Sequence, residues 1–336
     1  MPASIATVVA GGGCLRVLLD NASVESVLRV RGQSPPGECP RIVHHNWFGP
    51  RMTAEDRKVL RANLARIACR RASPLRPWQV FFWMSREFNE TNAVLAEHSA
   101  FLASLAREFR IQVHFVEEDA GATPGDLIML RKLWHDTQIL RNLRATDARY
   151  RGKVTWIAAM SDFARMLAVD RFGGIWADVG DTAFPRNFPA VWRRHGLHIL
   201  PCGFRVAFNH SGIVRSPSQH LFAALPASEI TRRCLARMRQ LWRERVAAID
   251  VRDPATDLIG TTLAWTGMGG TTGPIMKAIQ VTLATGEITS MMNAWKRGWC
   301  GVRMGAPSKA KPEFCVLGRW EKDAIKTWSN KSWFFY

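Results

Sequence analysis

Apolar and polar positions fall into a recognisable order from Arg41 onward. Ile42-Val43-His44-His45-Asn46-Trp47-Phe48 is a short apolar, β-branched and aromatic run halted by Gly49-Pro50, which suits a buried strand ending in a turn. A helix is predicted next: Thr53 and Asp56 make a capping-box-like start, and Leu60, Leu64 and Ile67 recur at i, i+4 and i+7 with Arg57, Arg61 and Arg66 on other faces. Trp78–Trp83 and Ile111–Phe115 read as a second and a third strand, each separated from its neighbour by helix-length sequence. From Gly125 to Arg149 the pattern is helical and basic, and Ser228–Val246 is a basic amphipathic helix. Its apolar side carries Leu235, Met238, Leu241 and Trp242, with Arg232, Arg233, Arg237, Arg239, Arg243 and Arg245 elsewhere. Strands alternating with helices predict an α/β domain with a mostly parallel central sheet flanked by helices. Residues 1–40 show no sustained period and read as a loosely held leader, so one domain is expected over 41–336. Its last forty residues are loop-rich but hold Trp295, Trp299, Trp320, Trp328 and Trp333 as anchors onto the domain.

Composition agrees with a packed core: 47% of the 336 residues are hydrophobic and 22% charged, which excludes a wholly disordered or fibrous chain. Charge changes the picture more. There are 46 Lys+Arg against 28 Asp+Glu, a net charge of +18, and only ten of those cations are lysines. A guanidinium fork grips phosphate and carboxylate with two parallel hydrogen bonds, so nucleic acid, anionic lipid and nucleotide-linked substrates are all compatible partners. Nucleic-acid binding is the weaker expectation, because no zinc spacing, basic-region zipper or RNA-recognition aromatic signature accompanies the charge. No stretch approaches the ~18–20 uninterrupted apolar residues that cross a bilayer. The seven cysteines are scattered without a C-x-x-C pair, as expected of reduced thiols in a cytoplasm. His44 and His45 are adjacent on a strand and so face opposite ways, which argues against a shared metal.

Chemistry concentrates between Ala159 and Asp181. Ser161 is placed to cap a helix, Asp162 and Arg165 lie three apart on one helical face and can pair or hold a common ligand, and Phe163, Met166, Leu167 and Val169 bury the other side. Gly173-Gly174 ends that helix, and Ile175-Trp176-Ala177 forms a short strand whose carboxyl end delivers Asp178, the edge where open α/β sheets bind ligands. Asp178 and Asp181 are carboxylates suited to a hard divalent ion bridging a diphosphate. Residues three apart on a straight strand diverge, so the two converge only if Gly180 bends the chain. A solvated turn is the alternative reading of such a cluster.

This segment resembles the S-D-x-x-R-x(6–7)-G-G-I-Y-x-D-x-D stretch of retaining glycosyltransferases with a GT-A fold, which include yeast-type initiating mannosyltransferases, bacterial polysaccharide transferases and large glucosylating toxins. Ser161, Asp162, Arg165, Gly173, Gly174, Ile175 and Asp178 stand at matching positions, with Trp176 in place of Tyr and Gly180 at the third place of D-x-D. Arg41–Gly49 is similar to the opening I-P-K-I-I-H-x-x-W-x-G strand, Phe208–Val214 to an N-N-x-x-I segment, Thr271–Pro274 to a T-G-P loop and Ser332-Trp333 to a closing S-W. The resemblance implies a GT-A-like single domain that transfers a hexose from a UDP- or GDP-sugar to a saccharide, lipid-linked or protein acceptor, with retention of configuration. It implies that Trp47 stacks on the nucleobase, Asp162 and Arg165 orient the sugar, Asn209 contacts the donor, and Ser332 and Trp333 close over the diphosphate. Mn2+ or Mg2+ would be held through Asp178 and Asp181. A role in surface polysaccharide or glycolipid synthesis, in a bacterial cytoplasm with peripheral contact to the inner membrane face, suits the arginine clusters. Loss of catalysis with retained saccharide binding is the alternative that Gly180 leaves open.

Overall fold

In a computed structural model of the protein, residues 40–67, 78–150, 155–179, 204–211, 214–266, 273–275 and 277–278 are described. The apolar run after Arg41 forms β1 (Ile42–Asn46), buried along its whole length because it pairs in parallel with strands on both sides. Trp47 and Phe48, read as strand from sequence, lie just beyond its end. After α1 (Ala54–Arg66), which carries the Thr53–Asp56 capping box, come β2 (Gln79–Met84), α2 (Asn92–Glu108) and β3 (Ile111–Phe115). The short α3 (Val116–Asp119) leads to α4 (Pro124–Thr146), α5 (Ile157–Phe172) and β4 (Gly174–Ala177). The described chain continues with β5 (Phe204–Ser211), β6 (Val214–Ala224), α6 (Glu229–Leu241) and α7 (Leu258–Trp265).

The sheet order is β3-β2-β1-β4-β6-β5. The β3-β2-β1-β4 half is parallel, and β6 joins β4 antiparallel with β5 as the outer strand. The sheet is therefore mostly parallel with a hairpin edge, within the expected α/β class. Alternation sorts the strand side chains into two layers. Ile42, Phe81, Trp83, Trp176 and Phe222 pack with α4, α5 and α6, whereas Val43, Val80, Phe82, Ile175 and Ala223 pack with α1 and α2.

Helix α5 is enclosed on nearly every side, with each residue from Asp162 to Val169 buried. Its exit into β4 requires glycine. Gly173 and Gly174 have φ of +65° and +101°, and a Cβ on them would lie 2.5 Å from Pro226 Cδ and 2.6 Å from the Ile42 carbonyl oxygen.

The basic helix differs from the sequence reading in two respects. Its α-helical part ends at Leu241 and the next turn, Trp242–Val246, widens to a π-helix. Arg239, assigned to the polar side, donates to both oxygens of buried Asp126 at 2.8 and 2.7 Å, tying α6 to the amino end of α4. The helix packs close enough to α4 for one outward-pointing arginine to reach inward. Among the described residues no helix is long and apolar enough to cross a membrane.

Candidate functional site

Between β1 and β4 the chain reverses its direction of travel across the sheet: from β1 it runs outward to β2 and β3, then returns through α5 to β4 on the other side. At such a switch point the helices leave in opposite directions and open a crevice beyond the carboxyl ends of the two strands. Asn46 is the last residue of β1 and Asp178 immediately follows β4. The helix that enters β4, α5, contributes Ser161, Asp162 and Arg165 to the same place.

Arg165 organises the cluster. Its Nη2 lies 3.0 Å from Asp162 Oδ1 and 3.3 Å from Asp178 Oδ1, and the guanidinium carbon sits 5.3 Å from the centroid of the Trp176 ring. The Arg165 side chain is 6% exposed, so it depends on these partners to offset the loss of hydration. The same nitrogen donates to Ser161 Oγ at 3.4 Å. Asp162 is equally enclosed and accepts from the buried Thr266 hydroxyl at 2.9 Å. Asp178, with 19% of its side chain exposed, is the member of the trio that a ligand reaches most readily. Its Oδ1 accepts from the indole Nε1–H of Trp176 at 2.8 Å. The pairing follows from local geometry, since two residues apart in extended backbone Trp176 on β4 and Asp178 just past its end lie on the same side, the side that looks onto α5.

Ser161 does not cap the helix. Helix α5 starts at Ile157 after Trp156, without a side-chain cap, so Ser161 lies a full turn inside. Its hydroxyl is instead locked to Asn46: the Asn46 Nδ2 donates to Ser161 Oγ at 2.8 Å and Ser161 Oγ donates to Asn46 Oδ1 at 3.1 Å. Asn46 was passed over in the sequence reading, although a polar residue closing an apolar strand was a usable signal. Thr266 was also missed, and nothing in the local pattern marks it, because its partner lies 104 residues away.

The two histidines of β1 are fully buried and engage different carbonyls. His44 accepts from the Trp83 indole at Nδ1 (3.0 Å), which places the proton on Nε2, and Nε2 donates to the Gly173 carbonyl at 2.7 Å. Burial lowers its pKa to about 3. His45 donates from Nδ1 to the Ala177 carbonyl at 2.5 Å, and burial lowers its pKa to about 4 against the smaller opposing effects of that hydrogen bond and then of Asp178. Both therefore act at neutral pH as uncharged struts across the β1–β4 seam.

Trp47 is half-buried, packs on the α1–α2 side of the sheet and donates its indole N–H to the Pro50 carbonyl at 2.7 Å. Among the described residues no hydrogen bond, ion pair or ring contact joins it to Arg165 or Asp178. Asn209 lies on β5, opposite Ser216 at the far edge of the sheet. Asp181, Ser332 and Trp333 fall outside the described residues. Of the eight candidates, the fold thus brings together Asp162, Arg165 and Asp178.

Among the described residues no group of three or more His, Cys, Asp or Glu side chains converges on a metal-sized space. A single partly exposed carboxylate at a strand end does fit the way Mg2+ is held at phosphates, where one or two protein carboxylates suffice and phosphate and water oxygens complete the shell.

No family model matches the chain, and no curated protein matches it in sequence. Similar solved structures exist at low identity. One described as PaToxG Glycosyltransferase is 13% identical, with 88% of this chain and 93% of that chain covered and a TM-score of 0.49. The ligand-free glycosyltransferase domain from the YGT toxin is 8% identical, with 78% and 79% covered and a TM-score of 0.37. The catalytic domain of alpha-toxin from Clostridium novyi is 8% identical, with 89% and 75% covered and a TM-score of 0.35.

Proposed function

We propose that this protein is a GT-A-like glycosyltransferase that moves a hexose from a nucleotide diphosphate sugar to an acceptor hydroxyl. The observation that carries the reading is the Asp162–Arg165–Asp178 trio at the switch point of a mostly parallel sheet. A sugar presents hydroxyls that both donate and accept, and a site that recognises it needs acceptors and a cation in a fixed arrangement. Asp162 and Arg165 provide that pair on one buried helical turn. The motif resemblance supplies the remaining assignments: Trp47 for the nucleobase, Asn209 for a further donor contact, and Ser332 and Trp333 for closure over the diphosphate.

A diphosphate leaving the anomeric carbon gains negative charge while the sugar gains oxocarbenium character. Asp178, with Asp181 beside it in sequence, would hold a divalent ion, which when bound supplies Lewis-acid stabilisation of the leaving group. Arg165 adds a fixed positive charge next to that position, and Asp162 holds Arg165 in place so that neither group must reorganise during the reaction. Retention of anomeric configuration belongs to the proposal on the strength of the resemblance alone, and no carboxylate is assigned as a covalent nucleophile. The exposed arginines of α6 support peripheral attachment to an anionic membrane at its cytoplasmic face, which would suit a polysaccharide or lipid-linked acceptor.

The test is hydrolysis of UDP- and GDP-hexoses with Mn2+ or Mg2+ present. Release of free hexose from at least one donor, lost in Asp178→Ala, is expected. A wild-type protein that binds donors and hydrolyses none, with or without acceptor saccharides, would leave a saccharide-binding role in place of transfer.

A further inference from the structure

Helix α7 sends one side chain to the site from a part of the chain remote in sequence. Thr266, directly after its end, is wholly buried, and its hydroxyl donates to Asp162 Oδ2 at 2.9 Å. A threonine at a helix end has a local acceptor in the carbonyl four residues back, and here the Thr262 oxygen is within reach at 3.2 Å. The hydroxyl nonetheless lies nearer a carboxylate carried by another helix. Its backbone is fixed as well. The Thr266 N–H donates to the Thr262 carbonyl at 2.9 Å, and the preceding residue, Trp265, is 1% exposed. The Trp265 indole N–H donates to the Met238 carbonyl of α6 at 2.7 Å, and its ring packs against Trp156 and Trp242 with centroids 6.4 and 5.5 Å away. Helix α7 is thus seated on α6 where that helix widens into its π-helical turn.

We propose that Thr266 is a positioning residue for the Asp162–Arg165 pair, fixing the plane of the Asp162 carboxylate so that the pair meets a hexose in one arrangement. The inference rests on the glycosyl-transfer reading for its catalytic consequence. Its physical basis is the soft terminal torsion of aspartate. Rotation about Cβ–Cγ is broad and nearly two-fold, so a carboxylate held at a single oxygen can still swing its plane. Asp162 is held at both, with Arg165 Nη2 3.0 Å from Oδ1 and the Thr266 hydroxyl 2.9 Å from Oδ2. The two holds differ in origin. Arg165 stands on the same helix as Asp162 and moves with it, whereas Thr266 ties the carboxylate to α7. Arg165 in turn takes its setting from that carboxylate, because its side chain is 6% exposed and Asp162 is the nearer of its two carboxylate partners. A hydrogen bond to an ionised acceptor is of the stronger kind, and groups aligned before the sugar arrives need not reorganise during transfer. Packing alone would be served as well by valine, which has the outline of threonine and no hydroxyl.

Two substitutions separate the hydroxyl from the shape. Thr266→Val keeps the branched outline and removes the donor, while Thr266→Ser keeps the donor and removes the methyl group. Each is compared with the wild type in thermal melting, in hydrolysis of UDP-glucose and GDP-mannose with Mn2+, and in calorimetric binding of those donors, UDP and GDP. Loss of a hydrogen bond to a charged group corresponds to an expected fall of about tenfold in kcat for Thr266→Val, with the Kd of the bare nucleotide unchanged. Thr266→Ser should recover most of that activity although it melts lower. Hydrolysis by Thr266→Val at the wild-type rate, or activity that follows the melting temperature across the variants instead of the hydroxyl, would overturn the proposal. The active wild type would then leave the transfer reading standing. If Thr266→Val does not fold, Thr266→Cys takes its place, because a thiol is a weak donor; turnover in the serine variant should exceed that in the cysteine variant, and equal turnover overturns the proposal.

A wild type that hydrolyses neither donor retires the transfer reading, and binding then decides. A preference for UDP-glucose over UDP, or for GDP-mannose over GDP, that is lost in Thr266→Val and returns in Thr266→Ser would retain Thr266 as the residue that sets the pair for a saccharide. A preference unchanged in Thr266→Val, or none in the wild type, overturns that role too.

Discussion

At the level of single residues, the three charged groups of the site differ in what their removal should do. Asp162 is buried and holds both Arg165 and Thr266, so Asp162→Ala leaves an enclosed guanidinium short of its nearest anion; breaking a buried pair in this way costs about 3–5 kcal/mol. Asp178 is more exposed and Arg165 keeps Asp162 when it is lost, so Asp178→Ala should lower stability by only ~1–2 kcal/mol while abolishing metal-dependent turnover. Melting and hydrolysis measured together distinguish them: Asp178→Ala turning over at the wild-type rate would remove it from the site. Trp47→Ala tests the nucleobase assignment. Stacking on a base is worth ~1–3 kcal/mol, made in ground and transition states alike, so donor KM should rise far more than kcat falls. A large melting shift with unaltered KM would make Trp47 a packing residue of the α1–α2 layer. The sequence displayed part of this site because its logic is local. Asp162 and Arg165 are three apart on a helix, and Asp178 follows Trp176 by two residues, just past the end of β4. Asn46–Ser161 and Asp162–Thr266 span 115 and 104 residues, and only the fold brings them together.

Among elements, the α5–β4 junction is where a small change should have the largest effect. Gly174→Ala would place a methyl group 2.6 Å from the Ile42 carbonyl oxygen and 3.0 Å from Ile42 Cβ at a φ of +101°, so the β1–β4 seam must part or the turn must refold. A loss of at least ~2 kcal/mol in denaturant unfolding is expected, together with loss of activity, because the switch-point crevice lies between those strands. A variant as stable as the parent would show that the seam is looser than described. The Gly-Gly pair was legible as a helix stop, but the closeness of Ile42 and Pro226 was not, since neither neighbour is near in sequence. Helix α6 and the π-helical turn Trp242–Val246 that follows it give a second prediction. Arg232, Arg243 and Arg245 are exposed, whereas Arg239 is committed to Asp126 and Arg233 pairs with Glu229 at 2.5 Å. Converting Arg232, Arg243 and Arg245 to Gln should weaken low-salt sedimentation with anionic vesicles, each cation near a surface adding about 1 kcal/mol, and leave stability within ~0.5 kcal/mol. Arg239→Gln should do the reverse, destabilising the protein with little effect on vesicle binding. Wild-type protein that ignores anionic vesicles at low salt would return the whole face to simple solvation.

For the molecule as a whole, the class of fold was readable because a buried parallel strand announces itself as a continuous apolar run, as in Val80–Met84 of β2, and because capping boxes mark the starts of α1 and α4. The outer hairpin was less legible: β6 carries polar residues through much of its length, and an edge pair needs no continuous apolar signature. One property emerges only at this scale. Burial is the chief cause that lowers the pKa of three of the enclosed histidines, His44 to about 3, His45 to about 4 and His98 to about 4. His98 Nε2 accepts from the Met52 backbone N–H at 3.0 Å, so it too is held neutral by its surroundings. Unfolding restores a value near 6.5, so between that pH and about 4 the unfolded chain binds more protons than the folded one. The stability these rings contribute is therefore complete above pH 6.5 and falls as the pH drops toward 4, by up to ~1.4 kcal/mol per pH unit for each ring. Urea midpoints should hold steady from pH 8 to 7 and decline steeply by pH 5. In His98→Gln, which keeps an acceptor for the Met52 amide, the decline should be shallower by one ring's share even if the parent stability is lower. A midpoint that stays flat to pH 5 in the wild type would mean that water reaches these rings in the folded state and that the β1–β4 seam is not closed around His44 and His45.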